Sequence, residues 1–318
     1  MGSNGESGKL PFIEITEESM NPSSNSWLPT AHKVRRALET NGCFLAKYNQ
    51  LCPELHDKMF KLSEELFQLP TEVKLKNTSS ILGFGYGSNF SFMPLVEYFG
   101  LEGGATLGAT KEFTNLMWPS GNDNFCDTTY AYSKLLSELD HGVMRMVFGS
   151  YGVDNKYCDQ LLNSSFYLMR FLKYRTPKVD EINLGLLPHV DKNFLGIIDT
   201  NKVPGLEIQM KDGQWITCQP SPTTPSTFLV IAGEPFQAWS NGRIFAPLHK
   251  VVITGTEEKY TIALFSFMRE KIKVPEELIY HEENPLKFKE FNHLDFLEFV
   301  RSGGRSKVPR LIVPFCGV

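Results

Sequence analysis

Apolar residues repeat with one period in the first half of this chain and with another in the second. From Pro53 to Leu69, Leu55, Met59, Phe60, Leu62, Leu66 and Phe67 recur at helical spacing between Glu and Lys residues, which predicts an amphipathic helix on a core. A stronger helix is predicted over Asp127–Gly149, where Leu135, Leu136, Leu139, Val143, Met146 and Val147 form a broad apolar face. Shorter helices are expected from about Pro29 to a stop at Asn41-Gly42, after Pro70, and over Tyr157–Leu162, with a strand at Leu10–Ile15 ahead of them.

From Ser165 the period becomes that of strands. Phe166–Tyr174, Phe194–Ile198, Gly205–Met210, Trp215–Cys218, Thr227–Ala232 and Tyr260–Phe265 are short apolar runs, separated by turn signals such as Asp212-Gly213, Pro220-Ser221-Pro222 and Ser240-Asn241-Gly242. Many short, evenly spaced strands imply a sandwich or jelly roll. Between them and the helices, Ser79 to Trp118 mixes Gly83, Gly85, Gly87, Gly100, Gly103 and Gly104 with aromatics. It is expected to be irregular, either covering the core or closing over a substrate. The fold class is therefore α+β, mainly β. Its expected parts are a disordered leader (1–9), a mostly helical region (10–160), a strand-rich core (161–270), and a C-terminal extension (271–318) helical around Asp295–Val300.

Composition narrows the function. Hydrophobic residues are 42% of the 318, enough for a large core, and the net charge of -4 with interspersed signs offers no positive field for nucleic acid. Neither a signal pattern nor a membrane-length apolar run is present, so a cytoplasmic protein, expected as a monomer, is the reading. The six cysteines include no Cys-x-x-Cys pair, which predicts reduced, structural thiols and excludes a zinc ribbon.

One constellation carries chemistry. On an extended strand His189 and Asp191 project to the same side, and His249 can supply a third ligand. Two imidazoles and a carboxylate on one face of a metal suit non-haem iron(II) and leave positions open for co-substrate and oxygen. A bare His-x-Asp is weak evidence, but this one is followed by Gly205-Leu-Glu-Ile-Gln, Asp212-Gly-Gln-Trp215 and Ser240-Asn-Gly242.

With these motifs the chain resembles the plant 2-oxoglutarate- and iron(II)-dependent dioxygenases. Pro11-Phe-Ile, Asn41-Gly-Cys-Phe, Leu69-Pro-Thr-Glu-Val-Lys and Glu97-Tyr-Phe-Gly-Leu extend the likeness over most of its length. Within that family it resembles the branch that modifies glucosinolate side chains, with related alkaloid and auxin oxidases.

The resemblance implies a double-stranded β-helix (jelly roll) core and the cofactors Fe(II), 2-oxoglutarate and O2, with ascorbate as reductant. Succinate and CO2 would be released as a small metabolite is hydroxylated, demethylated or desaturated. It also implies that the cation ten residues after His249 holds the distal carboxylate of 2-oxoglutarate. The family has Arg-x-Ser there; this chain has Lys259-Tyr-Thr261, a point charge in place of a planar fork. Tyr174 is expected to donate its hydroxyl to the same co-substrate, whereas Leu172 stands where the family has Asn. The carboxylate Asp191 argues for oxygenation over halogenation.

Phe92, Tyr98, Phe194, Phe265 and Phe267 are candidates to line the substrate pocket. His32, His56, His281 and His293 are read as surface or capping residues, and Trp215 and Trp239 as core supports. The competing reading is a jelly-roll protein that binds a small ligand without turning over 2-oxoglutarate. A zinc hydrolase on the same triad is disfavoured because no general-base Glu stands at a recognisable offset.

Overall fold

The computed structural model describes residues 9–81, 83–218, 226–280, 283–303 and 310–318; the leader through residue 8, the Pro220-Ser221-Pro222 turn and His281 lie outside the described residues. In chain order the strands are β1 (Phe12–Ile15), β2 (Cys43–Tyr48), β3 (Val96–Glu102), β4 (Ser165–Tyr174), β5 (Leu184–His189), β6 (Leu195–Thr200), β7 (Leu206–Gln209), β8 (Trp215–Cys218), β9 (Thr227–Ala232), β10 (His249–Val252) and β11 (Lys259–Met268). The helices are α1 (Glu17–Met20), α2 (Trp27–Asn41), α3 (Pro53–Phe67), α4 (Thr71–Lys74), α5 (Leu107–Met117), α6 (Asp123–Ser150), α7 (Asn155–Asn163), α8 (Glu234–Trp239), α9 (His293–Ser302) and α10 (Ile312–Cys316).

Two sheets face each other. The larger runs β1-β2-β9-β6-β11-β4-β3 and the smaller β5-β10-β7-β8, so from β4 onward the chain passes repeatedly between sheets. All pairings are antiparallel except β1 with β2. Alternation along the large sheet divides its side chains between two cores. Tyr167, Met169, Phe171, Ile262 and Leu264 join the helices in the main core, α6 being the element buried most deeply against the sheet. Leu172, Tyr174, Ile198, Leu229 and Ala263 face the small sheet, where they meet Leu206, Ile208, Ile216 and Val251.

The helix predictions agree with the structure, within the uncertainty of ends. Gly42 closes α2 in the left-handed conformation (φ 72°), donating its N–H to the Leu38 carbonyl. The glycine-rich stretch is corrected. It holds the seven-residue β3 and the eleven-residue α5, because β3 pairs along its whole length with β4 and Thr106 caps α5 through the Ala109 N–H. Glycines cluster only before β3 and between β3 and α5, so their density over the full window misled. His293 is also corrected from surface to core: it is fully buried, its Nδ1 accepting from the Met268 N–H at 3.2 Å and its Nε2 donating to the Lys192 carbonyl at 2.8 Å. Trp239 is a core support as expected, wholly buried beside Phe148 and Phe236. All six cysteines are free thiols.

Candidate active site

His189 ends β5 and His249 begins β10, and the two are direct cross-strand partners. The strand argument used for His189 and Asp191 holds only in part, since β5 stops at His189 and Asp191 sits in the turn that leads to β6. What places Asp191 is a backbone brace. Its carbonyl accepts from the Glu234 N–H at 2.9 Å, and Gly233 donates to the Phe194 carbonyl at 3.0 Å. Gly233 must be glycine for this contact, because a Cβ there would lie 1.8 Å from the Asn193 carbonyl oxygen.

Both imidazoles are oriented by main-chain carbonyls two residues behind them. His189 Nδ1–H donates to Leu187 at 2.8 Å and His249 Nδ1–H to Pro247 at 3.3 Å. A carbonyl only accepts, so a proton is held on each Nδ1 and each Nε2 is left as the ring's metal-facing nitrogen. Both Nε2 atoms lie 3.5 Å from the same Asp191 oxygen, Oδ1, and the three donors fall within 4.8 Å of one another. Asp191 Oδ2 is buried without a hydrogen-bond partner. Two imidazole nitrogens and a carboxylate with an unsatisfied oxygen are the donor set that iron(II) takes.

The electrostatics agree. Burial pulls His249 down to about 4, with His189 adding to the effect, so it is neutral near pH 7. Burial alone would raise the Asp191 carboxyl, but His249 and His189 outweigh it and hold the group down to about 2. His249 and Asp191 are buried while the His189 side chain is 35% exposed, so the triad is open on the His189 side.

Lys259 starts β11 directly opposite Tyr174, and Thr261 follows on the same face. All three are buried, with Lys259 1% exposed, its ammonium donating to the Val203 carbonyl at 2.7 Å. Burial lowers its pKa to about 8, against the opposing pull of Cys218 and Asp199. Across the sandwich Tyr174 packs on Gly185 of β5, where a Cβ would lie 2.8 Å from its ring.

The aromatic candidates separate. Tyr98 faces the sandwich interior beneath the guanidinium of Arg170, and Phe265 borders the same interior against Gly196. Phe267 packs with Phe84, Phe166 and Leu168 in a small cluster beside it. Phe194 is brought elsewhere, fully buried in the helix-side core and stacked on Phe236 at 4.4 Å. Phe92 is 60% exposed on a loop. Arg170, on the interior face of β4, escaped sequence reasoning; the available signal was a cation at an inward-facing position, between Leu168 and Leu172, of a largely apolar strand. A cavity of about 540 Å³ near α3 is lined by His56, Phe60, Asp199, Val203 and Cys218 and includes neither the triad nor Lys259 in its lining.

This geometry and its sequence context define a class. Residues 160–267 match the 2OG-Fe(II) oxygenase superfamily, and residues 10–120 match the family described as the non-haem dioxygenase in morphine synthesis N-terminal. The chain belongs to the 2-oxoglutarate- and iron(II)-dependent oxygenases, and it is an enzyme of the dioxygenase type.

Among its relatives is a probable 2-oxoglutarate-dependent dioxygenase AOP1 of Arabidopsis thaliana. It is 37% identical over 92% of this chain and 97% of its own length. The rice dioxygenase for auxin oxidation superposes with a TM-score of 0.81 at 24% identity, covering 98% of this chain and all of that one. The Arabidopsis thaliana dioxygenase for auxin oxidation 1, solved with 2-oxoglutarate, gives 0.77 at 27% identity, over 87% of this chain and 100% of its own.

Proposed function

We propose that the protein oxidises a small specialised metabolite or hormone of the plant type, by hydroxylation, demethylation or desaturation, with release of succinate and CO2. His189, Asp191 and His249 are its iron ligands; Lys259, Thr261 and Tyr174 hold 2-oxoglutarate. The order of strands from β4 to β11 is read as a jelly roll. The region before it and the segment after residue 270 serve as packing extensions of one monomeric, cytoplasmic unit, with ascorbate as the reductant.

The observation that carries the reading is the pair of Nδ1-anchored imidazoles whose free Nε2 atoms converge on one oxygen of Asp191. Ferrous iron with 2-oxoglutarate and dioxygen supplies the oxidising power when bound. The chain's own work is orientation. The carbonyls of Leu187 and Pro247 fix ring and tautomer, so no reorganisation is needed on binding. Lys259 brings a positive charge to a buried place, and Leu206, Ile208 and Val251 keep water from the co-substrate's surroundings. Among the described residues no helix is long and apolar enough to cross a membrane.

The test is succinate formation by purified protein supplied with iron(II) and 2-oxoglutarate. Asp191→Ala is expected to abolish it together with metal binding. Turnover by that variant at the wild-type rate sinks the ligand assignment.

A further inference from the structure

Arg170 is a cation built into the sandwich with no ion pair to a carboxylate among the described residues. It lies on the interior face of β4 between Gly100 of β3 and Ala263 of β11, two positions whose small side chains leave space beside its stem. One terminal nitrogen, Nη2, donates to the Gly83 carbonyl at 2.8 Å, and the guanidinium carbon sits 4.4 Å over the Tyr98 ring. Gly100 makes that anchor reachable, because a Cβ there would lie 2.1 Å from the Phe84 carbonyl and push the 83–84 backbone away. The plane of the fork is thus held by a ring and one end by a carbonyl. Its Nε is buried with no acceptor.

Two other inward cations meet carboxylates, Lys74 with Glu97 at 2.6 Å and Lys192 with Glu234 at 2.5 Å, while Lys259 meets the Val203 carbonyl. Arg170 pairs with no carboxylate among the described residues, although the charge of Asp191 is near enough to act on it. A half-buried guanidinium without a paired carboxylate is poorly compensated, and an anion that comes from outside would complete it. That anion is not the co-substrate's distal carboxylate. Lys259 is opposite Tyr174, four residues along β4 from Arg170, a separation of about 13 Å on a strand.

We propose that Arg170 is the receptor for a carboxylate carried by the organic substrate, which is therefore an acid with an apolar body. The inference rests on the oxygenase reading above and adds the substrate's chemical class. The unpaired Nε edge offers the planar, two-point geometry that a carboxylate accepts. Tyr98 and Phe265 supply apolar surface for the rest of the molecule.

The experiment is calorimetric titration of protein loaded with Mn(II) and 2-oxoglutarate, using phenylacetate, 3-phenylpropanoate and 4-phenylbutanoate, each against its primary amide. At least one acid is expected to bind about ten-fold or more tightly than its amide. Arg170→Gln should bring that acid to the level of the amide, and Arg170→Lys should keep part of the preference. Tyr98→Leu, which leaves the charge but removes the ring beneath it, should lose part as well and serves if Arg170→Gln does not fold. The affinity for 2-oxoglutarate, measured first on each sample, should stay within about two-fold.

Acids that bind no better than amides, or not at all, overturn the proposal. A parallel loss of 2-oxoglutarate affinity in Arg170→Gln also overturns it, assigning Arg170 to the co-substrate. Wild-type protein that fails to bind 2-oxoglutarate with metal present refutes the oxygenase reading instead.

Discussion

Lys259 stands where the pattern of the resembled family has Arg, and its surroundings give the difference a measurable consequence. A charge-assisted hydrogen bond to a buried carboxylate contributes about 1.5–3 kcal/mol, so Lys259→Ala is expected to weaken 2-oxoglutarate roughly 10- to 100-fold by calorimetry. Burial sets the Lys259 pKa at about 8. The dianionic co-substrate needs the ammonium charged, so its affinity should be level below about pH 8 and fall above it. Lys259→Arg should flatten that profile, since a guanidinium stays charged. Without ligand the sign reverses. The unfolded chain holds this proton up to roughly pH 10.4, so the free protein gains stability from this group as pH rises between the two values. The identities of Lys259, Thr261 and the triad were legible because each sits at a fixed offset from a recognisable motif. Arg170 was not, because its meaning lies in what surrounds it: a ring from β3, a carbonyl before β3 and an Nε without an acceptor.

Among elements, α8 and α10 do what neither suggests by its length. Glu234 opens α8 fully buried; one carboxylate oxygen meets Lys192 at 2.5 Å, while the other accepts from the Leu311 N–H at 2.7 Å and the Ile312 N–H at 3.2 Å. One side chain therefore ties the turn carrying Asp191 to the C-terminal helix. Glu234→Ala leaves Lys192 and two N–H groups without this partner and should cost about 3–5 kcal/mol in urea unfolding. Glu234→Gln keeps acceptors for the amides and should cost less. Metal affinity should fall further in the alanine variant, because the same residue's N–H holds the Asp191 carbonyl. Neither α8 nor this clamp was readable in advance. A six-residue helix opening Glu-Pro has too few turns to show a period, and Leu311 lies far from Glu234 in sequence.

At the scale of the molecule, the site joins the two sheets. Its histidines and Asp191 belong to the small sheet and its margin, whereas Lys259, Thr261, Tyr174 and Arg170 belong to the large one. A metal ion and 2-oxoglutarate bound together would bridge the sheets and stabilise the folded state by mass action, about 2.7 kcal/mol at a hundred times the dissociation constant. For a chain of this size that is a rise in Tm of about 5 °C. Adding Mn(II) and 2-oxoglutarate should produce it, EDTA should reverse it, and Asp191→Ala should not show it.

The chain's own letters determined its helices α2, α3 and α6, its run of short strands and the three candidate metal ligands. These are matters of period and spacing, which are local. The tertiary structure alone decided that β3 and α5 form inside a glycine-rich stretch, that Phe194 and His293 turn into the core, and that the Arg170 Nε is left without an acceptor inside the sandwich. Each depends on which strand pairs with which and on what lies across the sandwich. Hydrophobic pattern fixes the face of a strand, but only packing fixes its neighbour.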